Sequence, residues 1–237
     1  MNRVFLNTII EDPQNIIIKD KEIIKKLIKV MRLSVKDNFI IFDKQSVEYL
    51  VEIKEITPKQ IICQFVSKSE IDRELEIEIN LYQALLKKDK FEWIVQKATE
   101  IGVKKIIPVV SEFCVVRDLT KNKLVRYQKI INEATMQCGG KIPPQLETIQ
   151  DFSESIAGLP AQDLNIIAYE SESGTKLKDI INNKRINLFI GPEGGFSQEE
   201  ISIAQRNSVR PFSLGKRILR AETAAIISCG IISQIYA

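Results

Sequence analysis

The chain of 237 residues carries 34 Lys and Arg against 31 Asp and Glu, with no histidine, 44% apolar and 27% charged residues. That is the composition of an ordinary soluble globular protein, with enough chain for one large domain or two modest ones. Four widely spaced cysteines (Cys63, Cys114, Cys138, Cys229), no Cys-x-x-Cys pair and no histidine exclude an ordinary structural zinc site. No run reaches the roughly 18 apolar residues of a membrane span, and no charged-then-apolar leader opens the chain. The expectation is a cytoplasmic protein with reduced, mostly buried thiols, no metal and no membrane partner.

In chain order, Val4 to Ile9 reads as a strand, and Asp20 caps a helix whose apolar positions Ile23, Ile24, Leu27, Val30 and Met31 recur at helical spacing. Phe39 to Phe42, Val47 to Ile53 and Ile61 to Val66 then read as strands of a small antiparallel barrel. After the polar stretch Ser67 to Glu74 the rhythm changes. Glu76 to Tyr82 is a strand, Asp89 starts a helix ended by Gly102, Lys105 to Val109 is a strand, and Lys121 to Cys138 is a longer helix ending at Gly139-Gly140. A strand at Asn165 to Tyr169, a helix near Thr175 to Ile181, a strand at Asn187 to Ile190, a helix from Ser197 and a terminal helix from about Ala221 complete the series. Such alternation predicts a mainly parallel sheet covered on both faces, with ligands at the carboxyl ends of its strands. Trp93 reads as an aromatic on the buried face of its helix.

Two Gly-rich loops fall at those carboxyl ends. Asn187-Leu188-Phe189-Ile190 runs into Gly191-Pro192-Glu193-Gly194-Gly195-Phe196-Ser197, and Ser197 with Glu200 has capping-box spacing. The second loop is Leu214-Gly215-Lys216-Arg217-Ile218-Leu219-Arg220-Ala221-Glu222-Thr223-Ala224. The first loop alone is either a tight strand-to-helix turn or a ligand cradle; the second favours the cradle. Neither the Walker A spacing nor the dinucleotide fingerprint is present, and Glu193 stands where a polyphosphate would sit. A nucleoside without a triphosphate, with a positive centre, suits the pair better. Basic residues cluster at Lys19 to Lys36, seven against Asp20 and Glu22, and at Arg206, Arg210, Lys216, Arg217 and Arg220. The first cluster reads equally as a phosphate-binding face or a solvated helix face; the second, beside the loops, favours phosphate.

These loops resemble the cofactor-binding signature of the SPOUT superfamily of knotted methyltransferases. More narrowly, the chain is similar to the RsmE family, which methylates N3 of a uridine in 16S ribosomal RNA. Lys90-Phe91-Glu92-Trp93-Ile94-Val95-Gln96-Lys97-Ala98-Thr99-Glu100-Ile101-Gly102-Val103, Glu133-Ala134-Thr135-Met136-Gln137-Cys138-Gly139 and Arg3-Val4-Phe5 extend the resemblance over nearly the whole chain. The chain departs from the family pattern at Gly140-Lys141, where an arginine usually follows Gln-Cys/Ser-Gly, at Lys26-Leu27, where a His-Leu pair is usual, and at Lys36-Asp37, where Gly-Asp is usual.

The resemblance implies an α/β fold, a SPOUT-type parallel sheet with a C-terminal trefoil knot spanning 75–237, preceded by a small PUA-like RNA-binding β-barrel at 1–70. It implies S-adenosyl-L-methionine as cofactor, lined by Gly191, Leu214, Gly215, Ile218 and Leu219, and the backbone of the same loop adds Gly194 and Gly195 as candidates. The candidate RNA contacts are Arg3, Lys25, Lys29, Arg32, Lys141, Lys216 and Arg217. The resemblance also implies a homodimer through the C-terminal domain and a 16S rRNA substrate within the small ribosomal subunit. Uracil N3 must lose a proton to become nucleophilic, and without histidine the acceptor is a carboxylate, lysine, tyrosine or water. Arg220 is the candidate for stabilising the oxyanion, and Glu222 or Glu193 for the base if burial raises its pKa. Against this, Glu222 also reads as a first-turn carboxylate on the helix macrodipole, and Arg220 as a structural or phosphate-contacting arginine. A related SPOUT enzyme acting on ribose 2′-oxygen or transfer RNA, and a non-catalytic ribosome assembly factor, are the alternatives.

Overall fold

The computed structural model describes residues 2–43, 47–69 and 72–236, with the side chain of Ser69 left aside. The expected domain boundary at residue 70 and the two chain termini lie outside the described residues. Two compact units emerge: residues 1–74 with 135–142, and residues 75–134 with 143–237.

The first unit is a five-stranded sheet in the order β1 (Arg3–Phe5), β3 (Asn38–Phe42), β4 (Glu48–Ile56), β5 (Ile61–Ser69), β2 (Ile16–Ile18). Along β4, Tyr49, Val51 and Ile53 are buried while Leu50 and Glu52 between them are partly open, the period of two expected of a strand with one face on a core. That core gathers Val4, Leu27, Phe39, Ile41, Val51, Ile53 and Ile61. The sheet is mixed, not wholly antiparallel as the sequence implied: β1 pairs parallel with β3. The connection between them contains β2 and helix α1 (Lys21–Lys25), enough chain for a parallel crossover. Asp20 caps α1, its Oδ1 accepting from the amides of Glu22 and Ile23. The helix then relaxes into a π-helical turn at Lys26–Val30, which a 3.6-residue period does not reveal.

The second unit is a wholly parallel sheet in the order β12 (Arg210–Phe212), β10 (Leu164–Ala168), β11 (Arg185–Ile190), β6 (Glu78–Ala84), β7 (Lys105–Val110). The short strands β8 (Gln145–Leu146) and β9 (Gln150–Asp151) both pair with β7. β10 and β11 are buried almost throughout, as strands with both faces covered must be. One face packs on a core that includes Leu81, Phe91, Val95, Leu188, Ala225 and Cys229. The other packs on one that includes Phe152, Ile167, Phe189, Phe196 and Ile201. Helix α2 (Lys90–Ile101) ends at Gly102, whose φ of 96° is the left-handed C-cap. Its buried stripe is Phe91, Ile94, Val95, Ala98 and Thr99. Trp93 falls off that stripe and is 46% exposed, correcting the reading that buried it. Helix α3 (Lys121–Cys138) follows the sequence reading, and its residues from Thr135 belong to the first unit. Helix α4 (Phe152–Ala157) and helix α5 (Leu177–Ile180) are short, and helix α6 (Gln198–Arg206) and helix α7 (Ala221–Ile235) follow the two Gly-rich loops. Among the described residues no helix is long and apolar enough to cross a membrane.

A polar ladder crosses three central strands of this sheet. Asn165, Asn187 and Asn80 are register partners on β10, β11 and β6. Asn80 Nδ2 donates to Asn187 Oδ1 at 2.9 Å, and Asn187 Nδ2 donates to Asn165 Oδ1 at 2.8 Å. A one-residue slip would separate these amides, so the ladder favours the observed register.

Candidate functional site

In the order 12-10-11-6-7 the chain reverses its direction of winding between β6 and β11, and such a switch point opens a crevice at the carboxyl ends of the strands. A cavity of about 720 Å³ lies there. Four strands supply its walls: Ala168, Tyr169 and Glu170 end β10, Ile190 to Phe196 follow β11, Phe212 to Arg220 follow β12, and Lys90 opens α2 after β6. Its volume falls within the several hundred Å³ of a small-molecule site.

The Gly191–Gly195 loop is shaped by what surrounds it. Gly195 has φ +71°, a conformation that favours glycine, and a Cβ there would stand 2.9 Å from Glu170 Oε1 and push that carboxylate aside. Ser197 then closes the loop with the full capping box: its Oγ accepts from Glu200 N at 3.2 Å while Glu200 Oε2 accepts from Ser197 N at 2.9 Å. The other oxygen of the buried Glu200 accepts from Glu112 N at 2.8 Å, tying the turn after β7 to the start of α6.

Gly191, Gly194, Gly195, Leu214, Gly215, Ile218 and Leu219 all line the cavity, as do Glu193, Arg220, Lys216 and Arg217. Ile218 is 84% exposed at the mouth. Helix α7 begins behind this loop with Arg220 as N-cap, a residue with no side-chain acceptor, so the first-turn amides are left without a side-chain cap. Such an end receives a carboxylate.

The three candidate catalytic residues separate. Glu193 accepts from Lys90 Nζ at 3.0 Å and from Lys87 N at 3.3 Å. Burial works to raise its pKa, but the Lys90 hydrogen bond and charge, with backbone donors, outweigh it and hold the carboxyl below its ordinary value. The condition under which Glu193 would serve as base, a pKa raised by burial, is therefore not met. Glu222 is shielded, its side chain 13% exposed, and stands behind the cavity lining; its Oε2 is buried with no hydrogen-bond partner and its Oε1 lies 4.0 Å from Arg220 Nη1. Arg220 is 82% exposed on the rim.

Within the first unit, the candidate RNA-contacting residues also separate. Arg3 forms an ion pair with the fully buried Glu48, donates to Gly140 O at 3.0 Å and stacks over the Phe42 ring at 5.2 Å. With its side chain only 9% exposed, it is a strut of the unit and not the surface cation expected from the sequence. Lys25, Lys29 and Arg32 are exposed, and Arg32 has φ +56°. Lys141 is half-buried, its backbone N–H donating to Glu74 Oε1 at 2.6 Å.

Glu170, Tyr169 and Lys90 complete the cavity without having been singled out as site residues from the sequence. The signal was present for Glu170, an acid at the carboxyl end of a strand in a parallel sheet. Lys90 needed the tertiary arrangement, since nothing local distinguishes it from Lys87 or Lys88. Among the described residues no cluster of His, Cys, Asp or Glu is arranged to hold a metal.

The RNA methyltransferase domain family matches residues 73–233, and the RNA methyltransferase PUA domain matches residues 20–66. The ribosomal RNA small subunit methyltransferase E of Buchnera aphidicola is 30% identical over 212 residues, covering 88% of this chain and 83% of that protein. That of Rickettsia conorii is 29% identical over 236 residues, covering 95% and 92%. The crystal structure of the Neisseria gonorrhoeae ribosomal RNA small subunit methyltransferase E bound to S-adenosyl methionine superposes with a TM-score of 0.92 at 26% identity, covering 100% of this chain and 98% of that one. With its catalytic fold, its PUA-type unit and its relatives in agreement, the chain belongs to the RNA methyltransferase domain family and, within it, to the ribosomal RNA small subunit methyltransferase E family.

Proposed function

We propose that this protein transfers a methyl group from S-adenosyl-L-methionine to N3 of a uridine in the 16S rRNA of the small ribosomal subunit. The observation that carries the reading is the cavity enclosed by the two Gly-rich loops at the switch point of the sheet, in a chain superposing on a relative bound to that cofactor. The residues fit the group. Leu214, Ile218 and Leu219 offer apolar surface, the backbone of Gly191 to Gly195 offers hydrogen-bonding groups at close approach, and the uncapped start of α7 suits a carboxylate. Bound there, the cofactor supplies an electrophilic methyl on a sulfonium.

The chain's own contribution is positioning, charge and the exclusion of water. Arg220, exposed on the rim, is placed to stabilise the anion that uracil becomes when N3 loses its proton. Of the two candidate bases Glu193 lines the cavity but is committed to Lys90, and Glu222 is kept off the lining, so neither carboxylate is assigned the proton. The first unit, residues 1–70 with the 135–142 segment that joins it, acts as the RNA-binding barrel, with Lys25, Lys29, Arg32 and Lys141 as its phosphate contacts, and the rest of 75–237 acts as the knotted catalytic domain. Lys216 and Arg217 meet RNA at the cavity mouth. The protein works in the cytoplasm as a homodimer, for which α7 supplies an apolar surface through the exposed Ile227 and Ile235.

Calorimetric titration with S-adenosylmethionine tests the pocket. Wild type binds saturably, and Gly215→Trp, which forces an indole onto a cavity-lining backbone at φ +122°, loses binding while keeping its circular dichroism. Mass analysis of small-subunit RNA then places the methyl group. A folded wild type that binds no cofactor overturns the proposal.

A further inference from the structure

The turn after β7 carries the chain's one exposed phenylalanine. Of ten phenylalanines, all described, the other nine are buried or half-buried, whereas Phe113 is 46% exposed. A lone exposed apolar residue needs no explanation by itself. Three further observations single this one out.

The first is that the turn is braced. Cys114 N donates to Ser111 O at 3.1 Å, Ser111 N donates to the buried Cys114 Sγ at 3.4 Å, and Glu112 N donates to Glu200 at 2.8 Å. Phe113 lies between residues tied down on both sides, so its ring is displayed and not flailing. The second is where it sits. A Cβ on Gly194 would lie 3.1 Å from Phe113 Cβ and 3.6 Å from its Cγ. Gly194 has no positive φ, so what crowds a side chain there is the phenylalanine itself. One edge of the ring thus rests on the cofactor-cavity loop and the rest faces solvent. The third is charge. Arg117 reaches back to the same turn, its Nη1 3.4 Å from Ser111 O and 3.5 Å from Glu112 O, and the neighbouring cavity carries Lys216, Arg217 and Arg220 against Glu170, its Lys90 being paired with Glu193.

A rigid, half-open aromatic face among cations is what an unpaired nucleotide needs: a π surface for the base and positive charge for its phosphate. The exposed apolar area here, Phe113 with Val115 beside it, is too small for a stable protein interface. Building on the reading of the protein as an RNA methyltransferase, we propose that Phe113 is a stacking platform for an unpaired base of the RNA substrate at the mouth of the cofactor cavity, with Arg117 contacting the phosphate of that nucleotide.

The test uses the full chain, Phe113→Ala and Phe113→Trp. A short single-stranded RNA carrying 2-aminopurine reports stacking by fluorescence quenching without any requirement for catalysis, and methylation of purified small subunits reports KM. Wild type and Phe113→Trp quench, and Phe113→Ala does not. In Phe113→Ala the KM for subunits rises about fivefold to a hundredfold, the range of base–aromatic stacking, while S-adenosylmethionine affinity stays within about twofold. Quenching and KM unchanged in Phe113→Ala overturn the proposal. So does a loss of cofactor affinity as large as the loss of RNA affinity, which would make Phe113 a brace for Gly194 and nothing more. If wild type quenches through Phe113 yet transfers no methyl group, the platform stands and the methyl-transfer reading falls. Methylation with no dependence on Phe113 leaves that reading intact and sinks the platform alone.

Discussion

Glu193 shows how a single carboxylate is assigned its work by its neighbours. Entering the cavity mouth costs it hydration, which favours the neutral acid, but Lys90 at 3.0 Å and two backbone donors favour the anion more strongly. Its folded pKa lies below the ordinary 4.5, so the stabilisation it contributes is present above pH 4.5 and lost as pH falls through the depressed folded value. The thermal midpoint of wild type should therefore exceed that of Glu193→Gln at neutral pH, with the gap narrowing below pH 4.5 and closing in stronger acid. A gap that persists unchanged into acid would refute the ion pair. The two side chains are 34% and 31% exposed, which keeps the effect within about 1 kcal/mol. The thiols follow the same logic of burial: Cys63 and Cys229 are pushed up to about 12 by desolvation, which leaves them protonated and unreactive at neutral pH.

At the scale of elements, helix α6 and the turn of Phe113 share one residue. Glu200 satisfies the amide of Ser197 and that of Glu112, so it caps the helix and anchors the turn after β7 at once. Ser197→Ala removes one half of the box and should cost about 1 kcal/mol. Glu200→Ala strips both amides of their acceptor and should cost about 2–3 kcal/mol. Urea unfolding checks the order, with the midpoint falling and the m-value unchanged; equal costs for the two variants would deny Glu200 its second role. The Ser-x-x-Glu spacing announced the capping box in the sequence, because both partners lie within one turn of chain. The bond to Glu112 was invisible there. So was the asparagine ladder, whose members look like polar interruptions of apolar strands until the register aligns Asn80, Asn187 and Asn165. Trp93 was misread for a related reason: on α2 the neighbours Phe91 and Ile94 fix the buried stripe, and the size of an aromatic does not move it onto that face.

On the scale of the whole molecule, the two units divide the charges. Lys25, Lys29 and Arg32 are exposed on the first unit, while Lys216, Arg217 and Arg220 surround the cavity of the second. If the first set meets phosphates, Lys29→Ala and Arg32→Ala should each weaken RNA binding and reduce the slope of log affinity against log salt by about 0.7–1. An unchanged slope would place the phosphate contacts elsewhere. Short-range chemistry was legible along the chain: Asp20 and Ser197 as caps, Gly102 as a helix end, the span Lys121–Cys138, and two Gly-rich loops after strands. Each depends on hydrogen bonds or dihedral preferences within a few residues, so the pattern survives without the fold. Tertiary structure alone decided the strand order 12-10-11-6-7, the parallel pairing of β1 with β3, the burial of Arg3 on Glu48, the pairing of Lys90 with Glu193 and the seat of Phe113 on Gly194. Those contacts join residues distant along the chain. Many pairings satisfy local preference equally well, and only the free energy of closing loops and packing the cores selects among them.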